Sequence, residues 1–414
     1  MKKEVFINNR ERLMMELEDN SVVILFAGTA PKKSADENYP FTPNRNFYYI
    51  TGIDEEKHIV MLSKIDNTVE EIIFIQKPDP VMERWVGKTI TEDEVKEISG
   101  IDKVKFLDEF HAALNQKLTG GKIDVVYLDL ERNSFEQIET QSQRFASEVI
   151  LRYPYTRIKN VYNYIVELRM IKVPEEVDEI RKAIKITIEA VKFLMKNMKI
   201  GVKECELEAY YDFYCKKNGV KDYAFKTIAA AGVNATILHY VDNNSIIKQD
   251  DLLLFDLGVQ VNYYNADITR TFPASGKFTE RQKAVYEAVL RVNEKIISKI
   301  KPGINFIDLN SMATDLIAEE CIKLGLITDK KDVRNYYWHS IGHSLGLDTH
   351  DVGNRNTTLK PGMVFTIEPG IYIEEEGIGV RIEDDVLITE DCCEVLTKDM
   401  IKSVNDIEAF IVSK

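Results

Sequence analysis

The sequence predicts an α+β protein built from two domains, and three observations carry that expectation. The chain has 414 residues, 44% hydrophobic and 29% charged, which is ordinary for a soluble globular protein long enough for two or three domains. Segments with helical periodicity and segments rich in β-branched and aromatic residues occur in runs, which favours antiparallel pairing over a doubly wound sheet. A stretch near 160–173, ending in a strong helix start at Pro174, separates two such groups.

In order along the chain, RERLMMEL reads as a short amphipathic helix. SVVILFAG, NFYYITG, HIVMLSK, EEIIFIQ and DVVYLDL read as strands, and SFEQIETQSQRFASEVI has helical periodicity. Residues 1–160 are therefore expected to form a smaller mixed α/β domain. RYPYTRIKNVYNYIVELRMIKVPEE reads as a connector. Pro174, followed by Glu175 and Glu176, places a proline and two acids in a first turn, and the helix continues through VDEIRKAIKITIEAVKFLMKNM. Residues 161–414 make the second domain. Its other long helices are TERQKAVYEAVLRVNEKIISKI and IDLNSMATDLIAEECIKLG. Its strands are DLLLFDLGV, VNYYNADITRTF, MVFTIEPGIYI and GVRIEDDVLI.

The formal net charge of −14 argues against nucleic acid and anionic membrane as partners, since both attract positive surfaces. The five cysteines, Cys205, Cys215, Cys321, Cys392 and Cys393, are odd in number and lack CxxC spacing. That disfavours a disulfide framework or zinc ribbon and suits reduced thiols in a cytosol. The N-terminus has basic residues with no apolar run behind them, and no segment approaches the roughly 20 apolar residues that span a bilayer. A cytoplasmic, non-membrane protein is expected.

Chemistry concentrates in the second half. Asp256 follows the apolar run Leu252–Phe255, Asp267 lies between Ala266 and Ile268, Glu368 ends the run MVFTI, and Glu383 stands between Ile382 and Asp384. Acids are depleted in strands, and an unpaired buried carboxylate is costly. Alone, either aspartate reads equally well as an edge or turn residue, Glu368 as a helix cap, and Glu383 as half of an Arg–Glu pair. Together they place four acids on four expected strands, with VQVNYYN turning between the first two. Two divalent cations would balance their −4 with +4.

HSIGHSLGLDTHD, His339 to Asp351, carries three of the six histidines. A zincin helix needs H-E-x-x-H. Here Ser340 follows His339, and Gly342 and Gly346 would each cost a helix about 1 kcal/mol relative to alanine. A loop or strand with close backbone approach fits better. The cluster thus reads as one ligand with other imidazoles around a substrate, and His239 in ATILHYVDNN is a further candidate.

In combination, FDLGVQVNYYNADITRTF, HSIGHSLGLDTHDVG, TIEPGIYI and GVRIEDD resemble the pita-bread metallopeptidases, and among them the Xaa-Pro aminopeptidases (aminopeptidase P). KSADENYPFTPNRNFYYITGI resembles the amino-terminal domain of the same family, so the resemblance covers nearly the whole chain. It implies a pita-bread catalytic domain and two metal ions held by Asp256, Asp267, His343, Glu368 and Glu383, with Asp267 and Glu383 bridging. It also implies substrate-side roles for His239 and His350, and supporting positions for His339, Tyr372 and Arg381. Trp85, in RWVGK, resembles a tryptophan that reaches a neighbouring subunit's site in related tetramers.

Carboxylates with one imidazole suit hard or borderline ions, so Mn²⁺ is the first expectation, with Zn²⁺, Co²⁺ and Fe²⁺ left open. The expected reaction is hydrolysis of the bond between an N-terminal residue and a following proline. Hydroxide from a metal-bridging water would attack, Glu368 would move the proton, and His239 and His350 would stabilise the oxyanion. The expected partners are peptides with proline second, and a second copy of the chain in a homodimer, with a tetramer as alternative. A proline dipeptidase is the nearest rival. Methionine aminopeptidase, creatinase-like hydrolysis and a non-catalytic binding protein on the same scaffold fit less well.

Overall fold

The structure, a computed structural model, describes residues 1–354 and 356–413. The chain forms two compact units, Met1–Arg169 and Met170–Lys414.

The first unit is built on a six-stranded mixed sheet of β1 (Ser21–Phe26), β2 (Ile59–Ile65), β3 (Thr68–Ile75), β4 (Lys103–Phe106), β5 (Val125–Leu128) and β6 (Arg157–Asn160), in the order β4-β3-β2-β1-β5-β6. β1 is antiparallel to β2 and β2 to β3, while the remaining neighbours are parallel. The two-residue period of a strand turns Val22, Ile24 and Phe26 to one face. There they join Ile59, Met61, Ile72 and Phe74 in a core closed by Phe110, Leu114 and Leu118 of one helix and Ala146 and Val149 of another.

Two sequence expectations fail in this unit. NFYYITG, read as a strand, lies in the helix Arg45–Thr51 and its C-terminal cap. The Asn44 side chain accepts the Phe47 N–H at one end, and Gly52 in the left-handed region closes the other by donating to Tyr48 O. Phe47, Tyr48, Tyr49 and Ile50 are all buried, with Phe6 edge-on to Tyr48 at 6.0 Å between ring centres. Caps and tertiary packing override the β preference of aromatic residues. The segment read as a connector also holds structure. It contains β6, paired with β5 at the sheet edge, and the helix Tyr162–Met170.

In the second unit all strand pairings among the described residues are antiparallel. β7 (Ile228–Ala231), β8 (Leu252–Leu257) and β11 (Ile268–Pro273) form one sheet, in the order β11-β8-β7. A two-residue hairpin of β9 (Gln260–Val261) and β10 (Tyr264–Asn265) links β8 to β11. β12 (Val364–Ile367), β15 (Asp384–Ile388) and β16 (Cys393–Val395) form a second sheet, and β13 (Gly370–Ile373) pairs with β14 (Ile378–Arg381). The helix Pro174–Asn197 starts as the sequence predicts, with the Glu176 carboxylate accepting the Val173 N–H at 2.8 Å. Its apolar stripe, including Val177, Ile180, Ile184, Ile188 and Val191, is buried. Helices Glu280–Ile297 and Phe306–Lys323 lie where periodicity places them, and Glu204–Lys217 is an additional one.

The expectation of four acids on four continuous strands needs correction. Only Asp256 lies inside a strand. Asp267 immediately precedes β11, Glu368 occupies the break between β12 and β13, and Glu383 occupies the break between β14 and β15. A residue at such a break escapes the strict alternation of a ladder, so its side chain can be aimed independently of its neighbours.

Candidate metal centre

Close backbone approaches bring the acids together. Gly258 lies so near Ala266 that an added Cβ would fall 1.9 Å from the Ala266 carbonyl oxygen. This approach, with Ala266 N–H donating to Val259 O at 3.0 Å, closes the turn that joins Asp256 to Asp267. Gly342 performs the same service for the histidine segment, since a Cβ there would fall 1.9 Å from Thr366 O. Thr366 N–H donates to His343 O and Glu368 N–H to Ile341 O, so residues 341–345 run alongside β12 and deliver His343 beside Glu368. The glycines that argue against a zincin helix thus mark a close strand-like approach, as the sequence predicts.

Asp256, Asp267, His339, His343, Glu368, Arg381 and Glu383 line one cavity of about 670 Å³, together with His239 and His350. Its size suits a small peptide-like ligand. Ligand atoms of Asp267, His343 and Glu383 all lie within 4.8 Å of one another, a grouping able to hold a cation. His343 Nε2 stands 3.4 Å from Asp267 Oδ2 and 3.8 Å from Glu368 Oε1. Arg381 organises the opposite side: Nη2 donates to Asp256 Oδ2 at 2.7 Å, Nε to Thr269 Oγ1 at 3.1 Å and Nη1 to the Tyr372 hydroxyl at 3.1 Å. The Thr269 hydroxyl donates to Glu383 Oε2 at 2.7 Å.

His339 takes a definite tautomer in this network. Its Nδ1–H donates to Ser340 O at 2.7 Å, leaving Nε2 to accept the Tyr372 O–H at 2.8 Å. Burial, reinforced by the charge of Arg381, pushes its pKa down to about 3, so the ring is neutral at physiological pH. His339 therefore holds Tyr372 in place. The distance of 3.8 Å from its Nδ1 to Glu368 Oε2 is too long for a hydrogen bond.

The acids are strained electrostatically. Burial first, and then neighbouring carboxylates, push Asp267 and Glu368 well above the usual carboxylate range, and Glu383 up to about 7. Asp256 Oδ1 is buried with no hydrogen-bond partner among the described residues. One guanidinium, that of Arg381, cannot balance four carboxylates gathered on one cavity. These features fit divalent cations, and hard oxygen donors with one imidazole fit Mn²⁺, Zn²⁺, Co²⁺ or Fe²⁺.

A pH dependence follows with a definite sign. Groups with raised pKa hold protons near neutrality, and a cation must displace them, so metal affinity falls as pH falls through about 7. Calorimetry of Mn²⁺ binding at pH 7, in buffers of different ionisation enthalpy, is expected to show release of about one proton or more per chain. Heats independent of buffer would contradict this.

His239 and His350 are exposed at the cavity, and the His350 ring centre lies 4.0 Å from that of His343. Tyr372 is fully buried. Trp85 belongs to the first unit, is 81% exposed in the short helix Glu83–Val86, and is not among the residues lining the cavity. Sequence reasoning missed Thr269 and Asp385. Thr269 follows Asp267 by two residues, and that same-face spacing is the available signal. Asp385, wholly buried, accepts the Asp267 N–H at 3.2 Å through Oδ2, a contact between residues too distant in sequence to read.

A carboxylate-rich centre on antiparallel sheets, flanked by helices and opening to a peptide-sized cavity, defines a metal-dependent hydrolase. Comparison with known proteins makes the class specific. The profile of metallopeptidase family M24 matches residues 178–390, and that of the aminopeptidase P N-terminal domain matches residues 6–127. The Xaa-Pro aminopeptidase of Escherichia coli K12 is 33% identical over 99% of this chain and 98% of its own length. A Bacillus anthracis structure described as a candidate aminopeptidase P superposes with a TM-score of 0.98 at 50% identity, covering 100% of this chain and 99% of that one. Escherichia coli aminopeptidase P with the inhibitor Pro-Leu superposes with a TM-score of 0.92 at 31% identity, over 100% and 99% of the two chains. The chain belongs to metallopeptidase family M24, with the pita-bread fold and the N-terminal domain of an aminopeptidase P. It is a metal-dependent peptidase.

Proposed function

We propose that this chain is an Xaa-Pro aminopeptidase that removes an N-terminal residue from peptides with proline in the second position. The observation that carries the reading is the convergence of Asp256, Asp267, His343, Glu368 and Glu383 on one cavity with His239 and His350. The relatives described above bear the same activity in their names. Two divalent ions, Mn²⁺ by preference, would be held by those five residues, with Asp267 and Glu383 shared between them. When bound, such ions lower the pKa of water and polarise a carbonyl oxygen.

The chain's own groups do the rest. The free amino group of a substrate would bind beside the metal centre and its acids, which favours cleavage at the first residue. Glu368, 18% exposed on the cavity, would move the proton. His239 and His350 present exposed rings to a bound peptide and would hydrogen-bond the carbonyl oxygen as charge develops there. Phe225, Ile228, Leu238 and Val241 give the cavity an apolar wall. That suits a pyrrolidine ring whose amide has no N–H to donate.

We further propose residues 1–160 as an aminopeptidase P-like amino-terminal domain and 161–414 as the catalytic domain. No helix among the described residues is long and apolar enough to cross a membrane, and five free cysteines support a cytoplasmic location. A homodimer is the proposed assembly, with a tetramer as alternative. The exposed apolar side chains Val81, Met82, Trp85 and Val86 support association.

The deciding experiment is a panel of Xaa-Pro-Yaa, Xaa-Ala-Yaa and Xaa-Pro peptides with the Mn²⁺-loaded protein. Cleavage of Xaa-Pro-Yaa with Xaa-Ala-Yaa left intact is expected. Cleavage confined to dipeptides would make the chain a proline dipeptidase, and no cleavage of any peptide would leave a binding protein.

A further inference from the structure

His239 is exposed on an irregular segment between β7 and β8, so something must fix its ring for it to act on a substrate. The segment has few ladder bonds of its own. It is organised instead around a single carboxylate outside the metal centre. Glu204 opens the helix Glu204–Lys217 and is 1% exposed. Its Oε1 accepts the Ala231 N–H at 2.7 Å and the Asn234 amide at 2.9 Å. Its Oε2 accepts the Tyr240 hydroxyl at 2.8 Å and the Ser245 N–H at 2.8 Å.

Four accepted bonds fill the lone-pair capacity of a carboxylate. The four donors come from points before, within and after the loop, and every one is a neutral group. Tyr240, the residue next to His239, is bound at both ends: its N–H donates to Ile237 O and its hydroxyl reaches Glu204. The same hydroxyl accepts the Asn244 N–H at 3.3 Å. Glu204 is itself anchored, because its N–H donates to Ser245 O at 3.0 Å, and Lys203 bridges to Ile246.

We infer that Glu204 is a positioning residue for His239: through Tyr240 and the loop ends it fixes the imidazole against the substrate. This rests on the proposed peptidase reading and goes beyond it, since Glu204 touches neither the acids nor the cavity. Only a carboxylate can serve all four donors. A glutamine would keep the shape but turn its own NH₂ toward two of them, leaving them unsatisfied.

The test is a double-mutant cycle on the Mn²⁺-loaded full chain, with an Xaa-Pro-Yaa peptide as substrate. Loss of His239 as a hydrogen-bond donor is expected to lower kcat on the order of 10²-fold. Glu204→Gln should lower kcat about tenfold, and the gentler Tyr240→Phe about threefold, as the loss of hydrogen bonds to a charged group implies. KM and metal content should be nearly unchanged. In a His239→Ala background neither substitution should change kcat by more than about twofold, since there is no ring left to position. Glu204→Asp should recover part of the loss. Equal losses in both backgrounds, or loss of metal with loss of rate, would show a merely structural role and overturn the inference. So would a Tyr240→Phe protein, folded and metal-loaded, with full kcat. If the unaltered protein cleaves no Xaa-Pro peptide, the peptidase reading itself fails, which is a different result from any of these.

Discussion

Replacing Asp267 with alanine is expected to remove nearly all peptidase activity, a loss at least on the order of 10³-fold, while the fold is retained. Asp267 is 4% exposed and is surrounded by the carboxylates of Glu383, Asp256, Asp385 and Glu368. Its ionised form is disfavoured first by burial and then by those neighbours. Without metal, therefore, alanine removes a carboxyl group that the fold must either keep charged among like charges or hold protonated above its usual range, a cost to the folded state either way. The chelated variant should melt no lower than the chelated parent. With metal the order should reverse, because a ligand that binds only the folded state stabilises the parent more. Thermal unfolding with and without Mn²⁺, alongside metal analysis, checks both statements. A variant with full activity, or one stabilised by Mn²⁺ as strongly as the parent, would remove Asp267 from the centre.

The second large effect separates two histidines whose rings are 4.0 Å apart between centres. His343 Nε2 faces Asp267 and Glu368 at 3.4 and 3.8 Å, which supports its proposed role as a ligand. His350 is exposed at the cavity, which supports its proposed contact with substrate. His343→Ala should lose metal and, with it, activity. His350→Ala should keep metal and lower kcat on the order of 10²–10³-fold, the usual cost of a lost oxyanion donor. Metal stoichiometry of the two variants decides. Metal loss from His350→Ala with retention in His343→Ala would exchange their roles.

Much of this centre is legible in the amino-acid sequence, because burying an acid is costly and the chemistry that repays the cost is restricted. Asp256 after four apolar residues, and Glu368 after MVFTI, announce themselves for that reason. The strand breaks at Glu368 and Glu383 are not legible, since an apolar run reads the same whether the ladder continues or stops. Nor is the support behind the acids. Thr269, Asp385 and Glu204 matter through partners 114, 118 and 36 positions away, and periodicity carries no signal over such distances. The helix Arg45–Thr51 escapes the sequence for a related reason. Its local composition favours a strand, and what decides it is an asparagine cap and packing on a helix far earlier in the chain.

We propose that these acids and His343 hold two divalent ions and that the resulting centre cleaves Xaa-Pro peptides. This is tested most directly by titrating chelated protein with Mn²⁺ while following release of the first residue from an Xaa-Pro-Yaa peptide. No turnover is expected without metal, then a rise to a plateau at two equivalents per chain, with Xaa-Ala-Yaa uncleaved throughout. Full turnover in thoroughly chelated protein, or a plateau reached at one equivalent, would contradict it.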